Sequence, residues 1–199
     1  DAYAQGAPPK GAPPAPPPKG GKGKAPAPPP PTTPAKTTKA IAVSPATITW
    51  GMSPAQISTV YEKVLDEEFK PKYKKVQPGA AMQALDAELA ERKAEIRRSL
   101  IRFGTVPTGY DATPLKGEYT YGNKEAVMNV TRDGRERYFF FIQDKLYKVV
   151  DEHKLGDGKP WGKNYDEAIG KLKDYYGVAG RVREPDATNG LSAKEADWS

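Results

Sequence analysis

The distribution of proline constrains this chain more than any other feature. Residues 1–40 hold 13 of the 21 prolines, whereas the other 159 residues carry nearly all the Val, Ile, Leu, Phe and Trp. A segment like 1–40 cannot bury enough apolar surface to offset the entropy lost on ordering. We therefore predict a disordered Pro/Ala/Gly/Lys-rich tail over 1–40. One α+β domain follows over 41–182, and a polar C-terminal extension over 183–199.

The positive charge of the chain lies in the same tail. The formal net charge is +6, and outside 1–40 there are 25 basic and 24 acidic residues. A DNA-reading domain usually concentrates positive charge on its folded surface. Three interpretations of the tail stay open: a solvated spacer, a polyproline ligand for an aromatic groove, and an electrostatic arm for a polyanion. The lysines of that arm are Lys10, Lys19, Lys22, Lys24, Lys36 and Lys39.

Capping residues and apolar periodicity predict three helices. The run Ser53-Pro54-Ala55-Gln56 supplies a capping serine, a first-turn proline and a glutamine that completes a capping box. A helix therefore begins here, and Pro71 limits it. The same kinds of signal predict the other two helices, one over Ala80–Phe103 that stops at Gly104, and one between Asn164 and Gly177.

Between these helices the apolar pattern changes to period two, which is typical of β-strands. The predicted strands are Gly117–Tyr121, Glu125–Arg132, Arg135–Gln143 and Leu146–Asp151, with turns at Gly122-Asn123, Asp133-Gly134 and Asp144-Lys145. Short strands are also predicted at Ile48–Trp50 and Val178–Val182. The fold class is thus α+β: an antiparallel four-stranded meander packed with two N-terminal helices and one C-terminal helix, preceded by the disordered tail.

The pleat sorts the side chains of this sheet onto two faces, and both are apolar enough to need cover. We expect the N-terminal helices to cover one face and the C-terminal helix the other. The alternative is that one face meets a partner, and arginine, lysine and tyrosine suit a wet contact surface. The candidate partner-binding residues on that face are Tyr119, Tyr121, Arg137, Phe139 and Lys148.

No residue is assigned to catalysis, to a metal or to a cofactor. His153 is the only histidine, and its charged neighbours near a strand end predict a surface position. The chain has no cysteine, which excludes disulfides, zinc–thiolate sites and lipid attachment to cysteine. Calcium-loop, Walker and dinucleotide patterns do not occur. An enzyme with an unrecognised site stays open as an alternative.

The first residues predict export. Ala2-Tyr3-Ala4 fits the small-x-small pattern of a signal-peptidase site, and the chain starts at Asp1 rather than at methionine. No apolar run approaches the ~20 residues that span a bilayer. We expect the periplasm or the cell envelope, with the cytoplasm or nucleoid as the alternative.

Two stretches carry a family resemblance. The run Trp50-Gly51-Met52-Ser53-Pro54-Ala55-Gln56-Ile57 and the segment Tyr138–Ile142 resemble uncharacterised exported proteins of predatory and gliding soil bacteria. The strand-to-helix opening is also similar to small lipoprotein modules of bacterial outer-membrane assembly. This chain departs from those modules because it lacks the lipid-bearing cysteine and has a longer helix pair. Neither resemblance implies catalytic residues.

These observations lead to one functional hypothesis and two alternatives. The hypothesis is a non-enzymatic periplasmic or cell-envelope binding or scaffold module with a polyproline spacer tail. Its partner would be another protein or an envelope polymer. The first alternative is a nucleic-acid-associated protein that binds DNA through the tail lysines, and the second is the unrecognised enzyme.

Overall fold

A computed structural model describes residues 43–105, 117–132 and 134–199, together with 33, 34, 36, 37, 39 and 115. It confirms an α+β fold with three helices and a four-stranded antiparallel sheet. Most of the tail predicted over 1–40 lies outside the described residues, so its disorder stays a prediction. In the described part of the chain, no helix has the length and apolar character needed to cross a membrane.

Helix α1 spans Pro54–Tyr73 and begins at the predicted capping box. The Gln56 N–H donates to Ser53 Oγ at 3.3 Å, and the Ser53 N–H donates to Gln56 Oε1 at 2.8 Å. The helix passes through Pro71 and ends two residues later, because a proline in the last turn removes one backbone donor without breaking the preceding turns. One apolar stripe of α1 is buried, at Ile57, Tyr61, Leu65 and Phe69, and the first three of these belong to the core that α1 forms with the sheet.

Helix α2 spans Ala80–Arg98 and ends five residues before the predicted Phe103. The next residues leave the helix because Ile101–Arg102 forms strand β1, which pairs with the next strand of the sheet. Phe103 consequently reaches the opposite face of the sheet from the helices. The apolar stripe that predicted a longer helix therefore serves two separate cores.

The main sheet has the order β1-β2-β3-β4, with β2 at Glu125–Arg132, β3 at Arg135–Ile142 and β4 at Lys145–His153. Pairing of Arg132 with Arg135 confirms the register expected from the predicted hairpin. The strand predicted at Gly117–Tyr121 is wrong, because the described residues there form turns and bends. Strand β1 takes the fourth place instead.

The β3–β4 connection differs from the prediction by one residue. Gln143 and Asp144 have φ of 49° and 60°, so they form the two-residue turn, and Ile142 pairs with Lys145. A β-bulge follows, because Phe141 pairs with Leu146 while Phe140 pairs with Lys148. A shift of one residue moves every later side chain of a strand to the other face. Val149 therefore faces the helices, and Val150 faces away from them.

Two apolar cores lie on opposite faces of the sheet. The first joins α1 and α2 to Ala126, Met128 and Phe139 among others. The second is formed by Phe103, Leu115, Tyr119, Val127, Tyr138 and Phe140. The residues that cover this second face thus come from the connection between β1 and β2. The expected cover by the C-terminal helix is not found in the described residues, because Ala168, the buried residue of that helix, belongs to neither core.

The C-terminal helix α3 spans Tyr165–Tyr176 with the predicted cap, since Asn164 Oδ1 accepts from the Glu167 N–H at 2.9 Å. Strand β5 at Arg181–Arg183 then pairs with β6 at Glu195–Asp197. Residues 183–199, predicted as a polar extension, thus include a paired strand.

The indole of Trp198 joins this second sheet to the end of α3. Its Nε1 donates to the Val178 carbonyl at 2.9 Å, and its ring lies 5.4 Å from the ring of Tyr176. A Cβ added to Gly180 would come within 2.6 Å of the indole, so only glycine allows this close contact.

Candidate functional site: a groove beneath the second helix

Helix α2 contacts α1 through a row of polar pairs as well as through the apolar side chains of Leu89 and Ile96. The bridging pairs are Glu62–Arg97 at 2.7 Å, Asp66–Lys93 at 2.6 Å, Lys72–Glu88 at 3.0 Å and Tyr73–Asp86 at 2.6 Å. Of the nineteen residues of α2, all of them described, Ile96 alone is buried. Exposed ion pairs contribute little each. Helix α2 thus leaves a groove between itself, α1 and the edge of β2.

The outer edge of β2 is completed stepwise. Strand β1 pairs with Ala126 and Val127, and then Ser99 takes over. The Ser99 hydroxyl donates to the Asn129 carbonyl at 2.9 Å and accepts from the Asn129 N–H at 3.2 Å. One side chain thus replaces both hydrogen bonds that a neighbouring strand would make.

The next outward position on this edge is open. Backbone groups in an antiparallel sheet point to alternate sides along a strand, so those of Thr131 point the same way as those of Asn129. Among the described residues, neither the N–H nor the carbonyl of Thr131 has a hydrogen-bond partner, and the residue is exposed. The edge of β2 therefore ends in an unused donor and an unused acceptor.

These features border a groove of about 790 Å³ between α1, α2 and the edge of β2. Its apolar floor is formed by Tyr61, Val64, Leu65, Ile96 and Val130. Its rim is charged and comprises Glu68, Glu88, Glu91, Arg92, Glu95 and Arg132. Four carboxylates thus face two guanidinium groups, and the groove lining is net negative.

Most of the rim charges are already paired. Glu68 pairs with Arg132, Glu91 pairs with Arg98, and Glu88 lies 3.6 Å from Arg92. Glu95 is exposed and forms no ion pair with any other described residue. A positive group that enters the groove therefore has one carboxylate available without displacing an existing pair.

An apolar floor, a charged rim and an open strand edge suit the binding of an extended polypeptide. Protein-binding surfaces commonly have an apolar centre and a polar rim. An exposed strand edge supplies main-chain hydrogen bonds to a peptide that aligns with it. The groove volume lies within the ~300–1,000 Å³ of ligand pockets.

The five predicted partner-binding residues do not share one face. Arg137 and Phe139 point toward the helices and are 5% and 0% exposed. Tyr119, Tyr121 and Lys148 belong to the opposite face. Two local features cause the difference: the bulge in β4 reverses the direction of Lys148, and the connection before β2 is not a tight hairpin.

Arg137 is engaged inside the domain. Its Nε and one terminal nitrogen donate to the two carboxylate oxygens of Asp151 at 2.5 and 2.6 Å, and its other terminal nitrogen donates to the Ser44 carbonyl. The hydrogen bonds to Asp151 raise the pKa of Arg137. Burial raises the pKa of Tyr61, which also hydrogen-bonds to this guanidinium.

Side chains on the opposite face contact one another. Tyr119 stacks on Phe103 with ring centroids 4.1 Å apart, and the Lys148 ammonium lies 4.5 Å from the ring centroid of Phe140. The Tyr147 hydroxyl donates to Glu125 at 3.0 Å, and burial together with this hydrogen bond raises the pKa of Tyr147 to about 12. These contacts use the groups that a partner would need.

His153 is half-buried rather than on the surface, and it does not line the groove. Its ring centroid lies 5.4 Å from that of Trp161, and burial lowers the pKa of the imidazole. Of the tail lysines, Lys10, Lys19, Lys22 and Lys24 lie outside the described residues. Lys36 is exposed, and the Lys39 ammonium lies 5.0 Å from the ring centroid of Tyr175. Within the described ranges, no group of three acidic or histidine side chains is placed to hold a metal ion.

Sequence reasoning missed Ser99, Thr131 and Glu95. Only Ser99 carried a signal, because a serine after Arg97-Arg98 favours the end of a helix over its continuation. Thr131 and Glu95 are ordinary strand and helix residues, and their roles arise from their neighbours in space. No protein-family model, curated protein or solved structure matches the chain, so the two family resemblances stay predictions.

Proposed function

We propose that this protein is a non-enzymatic, exported binding module that holds a segment of another protein in the groove beneath α2, with the tail as a spacer. The observation that carries the proposal is the unpaired edge of β2 at Thr131, which opens onto an apolar floor. An exposed strand edge can pair with another chain, so natural proteins usually cover or use such edges. Because the floor is apolar, the groove favours a polypeptide over a polar envelope polymer.

The dimensions of the groove suit a short extended segment. Along α2, the lining extends from Glu88 to Ser99, which is about 16 Å at ~1.5 Å per helical residue. An extended chain covers that length with about five residues at ~3.3 Å each. A five-residue segment has enough backbone to reach both Thr131 and Glu95.

Peptide selection tests the proposal directly. A display library of random twelve-residue peptides is panned on the full chain, and enriched peptides are measured by fluorescence anisotropy. Val64→Arg replaces an apolar residue of the groove floor by a long charged side chain and should weaken binding at least about tenfold, because it removes apolar contact surface and obstructs the groove. Ala90→Arg adds the same charge on an exposed position of α2 outside the groove lining and should leave binding unchanged.

Two results would contradict the binding role. One is a library that yields no enriched peptide, and the other is peptides that bind Val64→Arg as tightly as the unaltered protein. Removal of residues 1–40 should leave peptide affinity unchanged, since the tail is proposed to act only as a spacer.

The exported location is supported by the Ala2-Tyr3-Ala4 pattern and is tested separately. Fractionation of cells that express the protein from its whole gene should recover it with periplasmic or envelope markers. Recovery with cytoplasmic markers would remove the exported location and leave the groove unaffected.

A further inference from the structure

We infer that the occupant of the groove is added as an extra β-strand along the outer edge of β2, beyond Ser99, and that a lysine or arginine of this strand pairs with Glu95. The inference rests on the proposed function, because it names how the same groove recognises its partner. It goes further in specifying a backbone pairing and a side-chain pattern.

The position of the added strand along β2 follows from the place where β1 ends. Along the outer edge of β2, Ile101 pairs with Val127, and the Ser99 hydroxyl hydrogen-bonds to Asn129. The chain itself cannot continue this pairing to Thr131, because the residues before Ser99 belong to the last turn of α2. The next position beside β2 therefore lies in the groove, where the exposed N–H and carbonyl of Thr131 can hydrogen-bond to a peptide backbone.

The side-chain pattern of the occupant follows from the pleat. Val130 faces the helices and lines the groove floor. A residue of the added strand opposite Val130 points the same way and contacts Val64 and Leu65 when it is apolar. The side chain two positions along the strand also points toward the helices, and Glu95 on the rim attracts a positive charge there. The expected recognition pattern is thus an apolar residue and a basic residue separated by one position.

The tail of this chain does not fit that pattern. Residues 1–40 contain lysines but no Val, Ile, Leu, Phe or Trp to fill the floor. Prolines also lack the backbone donor that a strand partner supplies. The occupant is accordingly a segment of another protein with apolar and basic residues at alternate positions.

The experiment uses the full chain and the tightest peptide from the display library. A series of synthetic copies, each methylated at one backbone nitrogen, is measured by anisotropy. Strand addition at Thr131 predicts a loss of roughly tenfold at one position, where the peptide N–H bonds the Thr131 carbonyl, and little loss at the other positions. A flat series in peptides that remain sensitive to Val64→Arg would overturn the inference while the proposed function stands. If no peptide is sensitive to Val64→Arg, both fail.

Two protein variants give an independent check. Thr131→Pro removes an N–H that makes no hydrogen bond within the sheet, and it should lower the affinity for the peptide about tenfold. Thr131→Val keeps this N–H and should leave the affinity unchanged. Thermal melting establishes whether each variant folds. If Thr131→Pro does not fold, the methylation series alone tests the strand addition. Glu95→Gln should weaken peptides with the basic residue about threefold and reduce their salt dependence. The matched Glu67→Gln, on the exposed side of α1, should have no effect, and equal effects of the two would refute the pairing with Glu95.

Discussion

The pair formed by Arg137 and Asp151 is the most informative place to perturb the fold. The Arg137 side chain is 6% exposed and that of Asp151 is 26% exposed, and two hydrogen bonds join them. Asp151→Ala would leave a guanidinium buried in the first core with only the Ser44 carbonyl and Tyr61 as partners. Loss of one member of a buried pair typically costs ~3–5 kcal/mol.

We expect Asp151→Ala to lower the free energy of unfolding by about 3 kcal/mol, at the low end of that range, because Asp151 is partly solvated and Arg137 keeps two partners. For a domain of this size, that loss lowers Tm by roughly 6–12 °C. Urea unfolding followed by circular dichroism measures the change. The control is Glu67→Ala, which breaks a pair whose side chains are 62% and 68% exposed and should cost less than about 1 kcal/mol.

A double variant separates the buried charge from the lost contact. Arg137→Met with Asp151→Leu removes both charges and keeps apolar volume, so it should be more stable than Asp151→Ala alone. The reasoning is refuted if Asp151→Ala costs no more than Glu67→Ala, or if the double variant is as unstable as the sum of its single changes.

Three further predictions follow from titrating groups and from the tail. The hydrogen bond to Asp86 also raises the pKa of Tyr73 to about 12, so absorbance titration of the phenols should show a smaller component near pH 12 in Tyr147→Phe. An unchanged curve would contradict the hydrogen bond of Tyr147 to Glu125. Because the pKa of His153 is lowered in the folded protein, its contribution to stability is present above the unfolded pKa of ~6.5 and is lost as the pH falls through the folded pKa. His153→Phe should therefore reduce the pH dependence of the unfolding free energy, measured with urea, over that interval. An unchanged pH dependence would show that His153 does not cause it. If the tail lysines bind DNA, binding should disappear on removal of residues 1–40, with a log–log salt slope no steeper than about −5 for six lysines; no binding of the full chain at low salt would end that alternative.

Local signals predicted the elements whose causes are local. The capping box at Ser53, the N-cap at Asn164 and the hairpin that pairs Arg132 with Arg135 depend on residues a few positions apart, and each is present in the structure. The sequence alone also showed that the excess positive charge belongs to 1–40 and that the rest of the chain is nearly neutral.

Competition between distant segments decided the rest. The stripe that ends at Phe103 is a sound helical pattern, yet pairing of Ile101–Arg102 with β2 ends the helix at Arg98. The bulge beside Lys148 depends on which turn closes β3 onto β4, and it reassigns side chains to the two faces. Both outcomes depend on hydrogen bonds and burial between segments that lie far apart in the chain. A local sequence pattern carries no information about such contacts.

The groove has the same origin. Thr131 and Glu95 are ordinary residues in the sequence, and they come to border one groove only because α2 ends at Arg98 and passes over an incomplete strand edge. The sequence by itself determined the helix starts, the hairpin and the location of the excess charge, since those depend on neighbouring residues. The tertiary structure alone decided which donors and acceptors were left without partners, because that is settled only after every other segment has been placed.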